Sequence, residues 1–280
     1  MMELTDFIRL ALQEDVGKGD ITSLSTIPEN KYGTAKLLVK EQGIIAGIFV
    51  GLEIIKAVDD QMNAEVMGTD GQPVAPGDVL LKLHGKVRSI LQAERLLLNC
   101  MQRMSGIATT TRKYTDAVAG LPVKIMDTRK TTPLLRQLEK YAVKTGGGFN
   151  HRFGLYDMIL IKDNHVDSAG GISAALVAAR AYRDQHAPGT AIEIETRSFT
   201  EIEEALSTGI ADRIMFDNFS VENTIKAVAL VNNQCETESS GGITLNNVRA
   251  YAETGVNCIS VGALTHSVKS LDLSLKIHNE

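Results

Sequence analysis

Cysteines are scarce in this 280-residue chain, and their arrangement argues against two classes of protein. Cys100, Cys235 and Cys258 are the only three, and none belongs to a CxxC pair or has a histidine at metal-ligand spacing. Disulfide-rich domains and zinc-held domains both depend on such pairs. We therefore expect reduced thiols in the core or strands of a cytoplasmic protein.

Long apolar runs and a general excess of positive charge are also missing. No stretch of about 18 apolar residues is present to span a bilayer, and the start of the chain lacks the basic segment of a signal peptide. The 29 Lys and Arg stand against 34 Asp and Glu, which gives a formal charge of −5. Nucleic-acid backbones are bound by clustered cations. We expect neither a membrane nor a nucleic-acid partner.

One stretch, residues 125–165, nevertheless carries a local excess of cations. It holds seven Lys and Arg against four acids, a balance of +3. Two short apolar runs, Val123–Met126 and Met158–Ile161, are predicted strands that end in charged residues. Polar residues just past the carboxyl ends of parallel strands lie where α/β folds bind substrates. A single pocket for a small polyanion is therefore predicted from Arg129, Lys130, Arg152 and Lys162.

The remaining cations of this stretch have a different pattern. Arg136, Lys140 and Lys144 follow Pro133 at intervals of four residues. Residues four apart lie on one side of a helix. We predict a helix whose exposed face carries these three side chains.

Acidic residues occupy two later predicted strands. Glu193 and Glu195 alternate with isoleucines in one strand, so they point to the same side of it. Asp217 ends the next strand. Oxygen ligands suit Mg²⁺, which is usually shared with substrate phosphates, so Glu195 and Asp217 are candidate ligands of Mg²⁺ or of sugar hydroxyls. The alternative is that these acids form structural ion pairs with Arg129 or Lys162.

Glycines follow the last two predicted strands. Ser240-Gly241-Gly242 precedes a helix expected to begin at Thr244, and Val261-Gly262-Ala263 repeats the arrangement. Glycine lets backbone approach a phosphate closely, helix N-termini favour its charge, and barrels often bind phosphate with their last loops. Two such segments in succession predict a phosphate site.

The order of the predicted elements indicates two domains. Residues 1–105 mix strands and helices without regular alternation, which is typical of an α+β domain, and residues 268–280 are expected to return to it. A long helix is predicted from Ile90, with Ser89 as its N-cap, to about Val118, with an interruption at Gly106. The rest of residues 106–267 contains six strand-like runs with helices between most of them. This second part predicts an α/β barrel with fewer than eight strands.

Several of these segments together resemble one family, the quinolinate phosphoribosyltransferases. The resemblance extends over nearly the whole chain and rests on long, chemically unusual strings. They are Asp127-Thr-Arg-Lys-Thr-Thr-Pro133, Gly148-Phe-Asn-His-Arg152, Lys162-Asp-Asn-His165, Asp217-Asn-Phe219, Glu238-Ser-Ser-Gly-Gly242 and Val261-Gly-Ala-Leu-Thr-His266. Only the segment Thr196-Arg197 is less typical of the family.

The resemblance implies a fold, a reaction and a set of site residues. The fold is an N-terminal α+β open-faced sandwich followed by an incomplete, TIM-like α/β barrel, in a homodimer or higher oligomer whose active sites each take Arg95 from the neighbouring subunit. The reaction is that of a pentosyltransferase, the carboxylating nicotinate-nucleotide diphosphorylase of NAD biosynthesis. Its substrates are quinolinate and 5-phosphoribosyl 1-diphosphate, and its cofactor is Mg²⁺.

The site residues follow from the motif positions. Quinolinate and diphosphate are expected to contact Thr128, Arg129, Lys130, His151, Arg152 and Lys162. Ribose hydroxyls and Mg²⁺, directly or through substrate or water, are expected to meet Glu195 and Asp217. The 5-phosphate is expected to bind Ser240, Gly241, Gly242, Val261, Gly262 and Ala263. The expected catalytic residues are Lys130, Glu195 and Asp217.

Two other functions fit part of the same pattern. A Schiff-base aldolase would use Lys162 as its nucleophile and the late loops for phosphate. A non-catalytic anion-binding protein, such as a paralogue linked to molybdenum transport, would keep the fold and the loops without turnover.

Overall fold

Residues 2–278 are described by a computed structural model, and they divide into two units. The first comprises residues 2–112, 132–147 and 267–278, and the second residues 113–131 and 148–266. The helices are α1 (Leu4–Val16), α2 (Ile21–Thr26), α3 (Ile48–Val58), α4 (Val87–Ala117), α5 (Arg136–Thr145), α6 (Asp163–Ala169), α7 (Ile172–His186), α8 (Phe199–Thr208), α9 (Val221–Val231), α10 (Val248–Ala252) and α11 (Ala263–His266). The strands are β1 (Tyr32–Val39), β2 (Gly43–Ile44), β3 (Asn63–Val66), β4 (Pro73–Val74), β5 (Val79–Lys86), β6 (Lys124–Met126), β7 (Ile159–Ile161), β8 (Ile192–Thr196), β9 (Arg213–Asp217), β10 (Glu236–Ser240), β11 (Cys258–Ser260) and β12 (Leu273–His278).

The first unit is built on an antiparallel sheet with one buried face. Its four strands are ordered β12-β1-β5-β3. In β1 the side chains of Ala35, Leu37 and Val39 are fully buried while their neighbours are partly exposed. This period of two is what a strand produces when helices cover only one side of its sheet. The predicted return of the C-terminal segment is observed, since Leu273–His278 pairs with β1.

The second unit contains six parallel strands in the order β6-β11-β10-β9-β8-β7. The helices α6 to α10 occur between successive strands from β7 to β11, as parallel pairing requires. The predicted fold class, an α+β unit plus an α/β barrel with fewer than eight strands, is confirmed. Among residues 2–278 no helix combines the length and apolar character needed to cross a bilayer.

The domain boundary predicted between residues 105 and 106 stays a prediction. One helix that this boundary assigns to the second domain groups instead with the first unit. Helix α5 belongs by its contacts to the first unit. Its Glu139, 1% exposed, lies 2.6 Å from Arg103 Nη2, and its Tyr141 hydroxyl donates to Asp70 at 2.8 Å. Lys140 is only 2% exposed, so the prediction that it lies on a solvated face is wrong. Spacing of four identifies residues on one side of a helix but does not say which side is covered.

Helix α4 corrects two further expectations. It runs without interruption from Val87 to Ala117, so neither the start predicted at Ser89 nor the break at Gly106 is observed. Ser89 lies within the first turn and donates to Asp59 at 2.7 Å. A Cβ on Gly106 would collide with the carbonyl oxygen of Lys269, which lies in the same unit. The glycine therefore permits a close approach of two backbones and is not a helix break.

Replacing Gly106 with alanine is expected to destabilise the protein by about 1–3 kcal/mol, because the added methyl group overpacks a backbone contact. At an ordinary helical position the same change stabilises the fold, by up to about 1 kcal/mol. Urea unfolding of the two proteins decides the sign. A higher unfolding midpoint for the alanine variant would show that the Lys269 contact does not constrain this position.

Candidate active site

Alternation in the parallel sheet places one set of polar side chains on the same face. Glu195 pairs in register with Met215, and Met215 with Glu238. Side chains two residues further along each strand share that face, which adds Asp217 and Ser240 at the carboxyl ends of β9 and β10. The predicted convergence of acids and phosphate loops at one rim therefore follows directly from the strand register.

A cavity of about 740 Å³ opens at this rim. It lies entirely within the second unit. Of the residues predicted to bind substrates, its lining includes Thr128, Arg129, Lys130, His151, Arg152, Lys162, Asp217, Ser240, Gly241, Gly242, Val261, Gly262 and Ala263. Two predicted residues are outside the lining: Glu195 is 8% exposed behind Lys162, and Arg95 is exposed on α4 in the first unit. The individual roles of all these residues stay predictions.

The four predicted cations come from three separate strand-end segments. Arg129 and Lys130 follow β6, Arg152 precedes β7, and Lys162 follows it. Burial, and next the neighbouring Arg129 guanidinium, lower the pKa of Arg152. Such mutual repulsion between cations is relieved when an anion binds between them. The geometry thus suits a ligand with several negative charges.

Lys162 is held by one of the predicted acids. Its Nζ lies 2.5 Å from Glu195 Oε2, and the Lys162 side chain remains 45% exposed. For Glu195 the structural ion pair with Lys162, considered above as an alternative, is therefore present. A Schiff-base lysine is normally activated by desolvation or a cationic neighbour. An exposed lysine paired with a carboxylate does not fit the aldolase alternative.

The histidine of the Lys162-Asp-Asn-His165 string stabilises the start of α6. His165 Nδ1 accepts a hydrogen bond from Lys162 N at 2.9 Å, which closes the first turn of α6. The His165 side chain itself is exposed. The bond fixes the backbone of Lys162 at the cavity rim.

Glycine is required in the loop after β10. Gly241 has φ +92° and Gly242 φ +63°, values that side chains disfavour. A Cβ on Gly241 would collide with the amide oxygen of Asn218, whose own N–H donates to the Ser240 carbonyl at 2.8 Å. Without side chains, these two residues let a phosphate approach the backbone N–H groups of the loop closely.

The helices after the two glycine segments are shorter than expected. Helix α10 begins at Val248 and not at Thr244, and residues 245–247 form turns in which Asn247 Oδ1 accepts from Thr244 N at 2.7 Å. Helices α10 and α11 have five and four residues. Their dipoles are correspondingly small, so loop N–H groups must supply most of the attraction for a phosphate.

Lys130 is fixed by the other glycine segment. Thr265 Oγ1 donates to the Lys130 carbonyl at 2.8 Å. A Cβ on Gly262 would lie 3.0 Å from Lys130 Cδ, so the glycine leaves room for the lysine stem. The loops after β6 and β11 therefore hold each other at the rim.

Some lining residues were missed by the sequence analysis. They are Leu160, Met215, Asn218, Glu238, Ile243, Thr244, Ser260 and His266. Leu160 and Met215 lie two residues before Lys162 and Asp217, so counting back by two along each strand would have found them. Glu238, Asn218 and His266 belong to strings already singled out for other members.

His151 lies at the cavity floor with both ring nitrogens engaged. Nδ1 accepts from Arg152 N at 2.7 Å, and Nε2 lies 3.1 Å from Glu193 Oε2. Burial lowers the pKa of His151, but Glu193 and Glu238 outweigh it and raise the value to about 9. Nδ1 carries no proton while it accepts the amide hydrogen. Charging the ring therefore requires the Arg152 amide to turn away.

Profiles of one family match nearly the whole chain. The quinolinate phosphoribosyl transferase N-terminal domain matches residues 20–105 and the C-terminal domain residues 107–276. The chain belongs to the quinolinate phosphoribosyltransferase family. Among its relatives, quinolinate phosphoribosyltransferase [decarboxylating] 1b of Nicotiana tabacum is 46% identical over 294 residues, covering 99% of this chain and 83% of the relative. The probable nicotinate-nucleotide pyrophosphorylase [carboxylating] of Bacillus subtilis is 44% identical, covering 99% and 94%.

Solved members of the quinolinate phosphoribosyltransferase family share the fold described above. NadC from Streptococcus pyogenes superposes with a TM-score of 0.94 at 38% identity, covering 99% of this chain and 97% of that one. The nicotinate-nucleotide pyrophosphorylase of Francisella tularensis gives 0.92 at 40% identity, covering 98% and 96%. The resemblance drawn from the sequence strings is thus confirmed.

Proposed function

We propose that this chain transfers the phosphoribosyl group of 5-phosphoribosyl 1-diphosphate to quinolinate, releasing diphosphate and CO₂ and forming nicotinate mononucleotide. The observation that carries the proposal is the convergence of four cations and two glycine segments on one cavity. Both substrates are polyanions. At about 4 Å and an effective dielectric near 20, each like-charge contact between them costs roughly 4 kcal/mol without intervening cations.

The cavity residues supply positioning and electrostatic stabilisation. Arg129, Arg152 and Lys162 hold the quinolinate carboxylates, while the loops at 240–242 and 261–263 hold the 5-phosphate. The pyridine nitrogen then attacks the anomeric carbon as the bond to diphosphate breaks, and Lys130 stabilises charge on the leaving group. As CO₂ leaves, the electron pair of the C2–carboxylate bond stays on C2, where the adjacent positive ring nitrogen stabilises the resulting ylide. A proton at C2 completes the product.

A magnesium ion is part of the proposal. Asp217 is half-buried, lines the cavity and presents carboxylate oxygens, which are the ligands this ion prefers. Glu195 is paired with Lys162 and outside the lining, so it would act on the ion only through water or substrate. When bound, the ion neutralises diphosphate charge. Asp217 and Glu195 orient the ribose hydroxyls.

The test is release of CO₂ from carboxyl-labelled quinolinate. We expect equal amounts of CO₂ and diphosphate when quinolinate, 5-phosphoribosyl 1-diphosphate and Mg²⁺ are all present. We expect at least a hundredfold loss after chelation, reversed by added Mg²⁺, since metal stabilisation of developing charge contributes several kcal/mol. Release of CO₂ without the phosphoribosyl donor, or none with saturating substrates, would contradict the proposal. The second outcome would favour a non-catalytic anion-binding protein.

We also propose a homodimer or higher oligomer in which the partner subunit's Arg95 completes each site. Support comes from Arg95 itself, which is exposed on α4 and outside the cavity lining of its own chain. The three free cysteines, Cys100, Cys235 and Cys258, support a cytoplasmic location.

Mixing two inactive variants tests the shared site. Arg95→Ala and Lys162→Ala are each expected to be inactive alone. In randomly assembled mixed dimers, roughly one quarter of the sites then carry neither substitution and regain activity. Activity after co-refolding the two variants measures this. A mixture as inactive as its components would place both residues in the same chain's site.

A further inference from the structure

A cluster of buried charges lies at the base of the cavity, where one member, Glu238, belongs to the lining, and it has no part in the reaction described above. Glu193 and Glu238 are each fully buried, on β8 and β10, and β9 between them supplies Arg213. Arg213 Nη1 lies 3.4 Å from Glu193 Oε2 and 3.1 Å from Glu238 Oε2. Its Nη2 lies 2.7 Å from Glu236 Oε2 at the more exposed end of the strands. One guanidinium thus joins three strands.

Such a cluster is costly to bury. Removing a carboxylate from water costs several kcal/mol, and an ion pair returns that only in part. Burial and then the Glu238 carboxylate raise the pKa of Glu193. Replacing the cluster with apolar side chains would stabilise many proteins. The retention of charge at this position indicates that the cluster holds another part of the site in place.

The buried charges orient the His151 ring, and the ring in turn orients the backbone of Arg152. Nε2 of the histidine lies 3.1 Å from Glu193 and 3.5 Å from Glu238. On the other side of the ring Nδ1 accepts the Arg152 amide at 2.7 Å, while Asp127 Oδ1 accepts the His151 amide at 2.9 Å. The imidazole is fixed from both ends. The backbone that carries the Arg152 guanidinium into the cavity is fixed with it.

A metal site is the other use for this set of ligand atoms. His151, Glu193 and Glu238 bring three potential ligand atoms within 4.8 Å of one another. The Arg213 guanidinium, however, already contacts both carboxylates. A divalent cation placed between them would face that positive charge at close range. The geometry favours an internal ion network over metal binding.

We propose that Arg213, Glu193 and Glu238 are positioning residues for the quinolinate half of the site. They orient His151, and through it the main chain of Arg152, so that the guanidinium is placed before substrate arrives. The inference rests on the proposed function, in which Arg152 contacts a quinolinate carboxylate. Preorganised cations bind an anion more strongly than mobile ones, because no reorganisation is needed at binding.

Glu193→Gln is the informative variant, because it removes a charge while keeping size and a hydrogen-bond acceptor. We expect KM for quinolinate to rise about tenfold or more, the effect of one lost charged hydrogen bond. The KM for 5-phosphoribosyl 1-diphosphate is expected to stay within about twofold, since the glycine loops hold that substrate.

Glu236→Gln is the matched control. Glu236 also bonds to Arg213, but its side chain is 41% exposed and His151 is not among its contacts. We expect no change in either KM. Equal changes in both substrates' KM values for Glu193→Gln, or equal effects of the two glutamine variants on quinolinate, would overturn the positioning role.

Nitrogen NMR of histidine-labelled protein gives a reading independent of turnover. At a pH above the His151 pKa, the wild type is expected to show a bare Nδ1 and a protonated Nε2, and Glu193→Gln is expected to change these shifts while Glu236→Gln does not. Unaltered shifts in Glu193→Gln would also overturn the inference. Absence of CO₂ release by the wild type contradicts the proposed function instead, and the NMR comparison then still decides whether Glu193 orients the ring.

Discussion

Lys162→Met is expected to lower kcat/KM by roughly 10²–10³-fold, the range found when a preorganised electrostatic group is removed from an active site. Lys162 lines the cavity and pairs with Glu195, whose side chain is 9% exposed. Without the lysine, a nearly buried carboxylate is left unpaired next to the place where two anions must bind. The variant thus loses an attraction and gains a repulsion.

Lys226→Met is the matched control for this experiment. Lys226 also forms an ion pair, with Glu222 at 2.6 Å, but on the exposed surface of α9. Steady-state kinetics should show no change there. Lys162→Arg is expected to keep part of the activity, because it keeps the charge. Complete loss in the arginine variant, together with borohydride trapping of a keto substrate on the wild type, would instead support Schiff-base chemistry.

Gly241→Ala has the second large expected effect, a loss of about a hundredfold in kcat/KM for 5-phosphoribosyl 1-diphosphate. The new Cβ collides with Asn218, so the loop and its N–H groups must move, and a displacement of about 1 Å at a positioning contact can cost that much. KM for quinolinate should change far less. The comparison of the two KM values is the measurement.

Gly170→Ala separates the collision from backbone strain. Gly170 ends α6 with φ +90°, nearly the value at Gly241, but a Cβ there meets nothing within 4 Å. Both variants suffer the conformational penalty of an alanine at positive φ. Only Gly241→Ala should impair binding of the phosphoribosyl donor. Similar kinetics for the two variants would remove the loop from the phosphate site.

Much of the site could be predicted from the sequence because charged residues directly follow the apolar run of each strand. The apolar runs before Asp127, Lys162 and Asp217 identify strands, and parallel pairing then brings their ends to one rim. The glycine pair at 241–242 was also recognisable, since two successive glycines after a strand permit positive φ.

The sequence could not show which residues of neighbouring strands lie side by side, nor which side of each helix is covered by other elements. Arg213 meets Glu193 and Glu238 only because β9 lies between β8 and β10, whereas Arg129 and Lys162 were considered as partners from charge alone. Lys140 is buried because other residues cover that side of α5, and helical spacing does not show which side of a helix is covered. The helix after Gly242 begins at Val248, four residues beyond the start that Thr244 indicated.

The register of β8, β9 and β10 also indicates how this cavity can be altered by engineering. Glu193 and Arg213 form a lower layer, and Lys162, Met215, Asp217 and Ser240 an upper one that faces the cavity. Saturation libraries confined to the upper layer leave the internal salt network intact and sample altered acceptor preference in folded proteins. Libraries that include the lower layer are expected to contain fewer folded variants, because changing one member of the network leaves the other charges buried and unpaired.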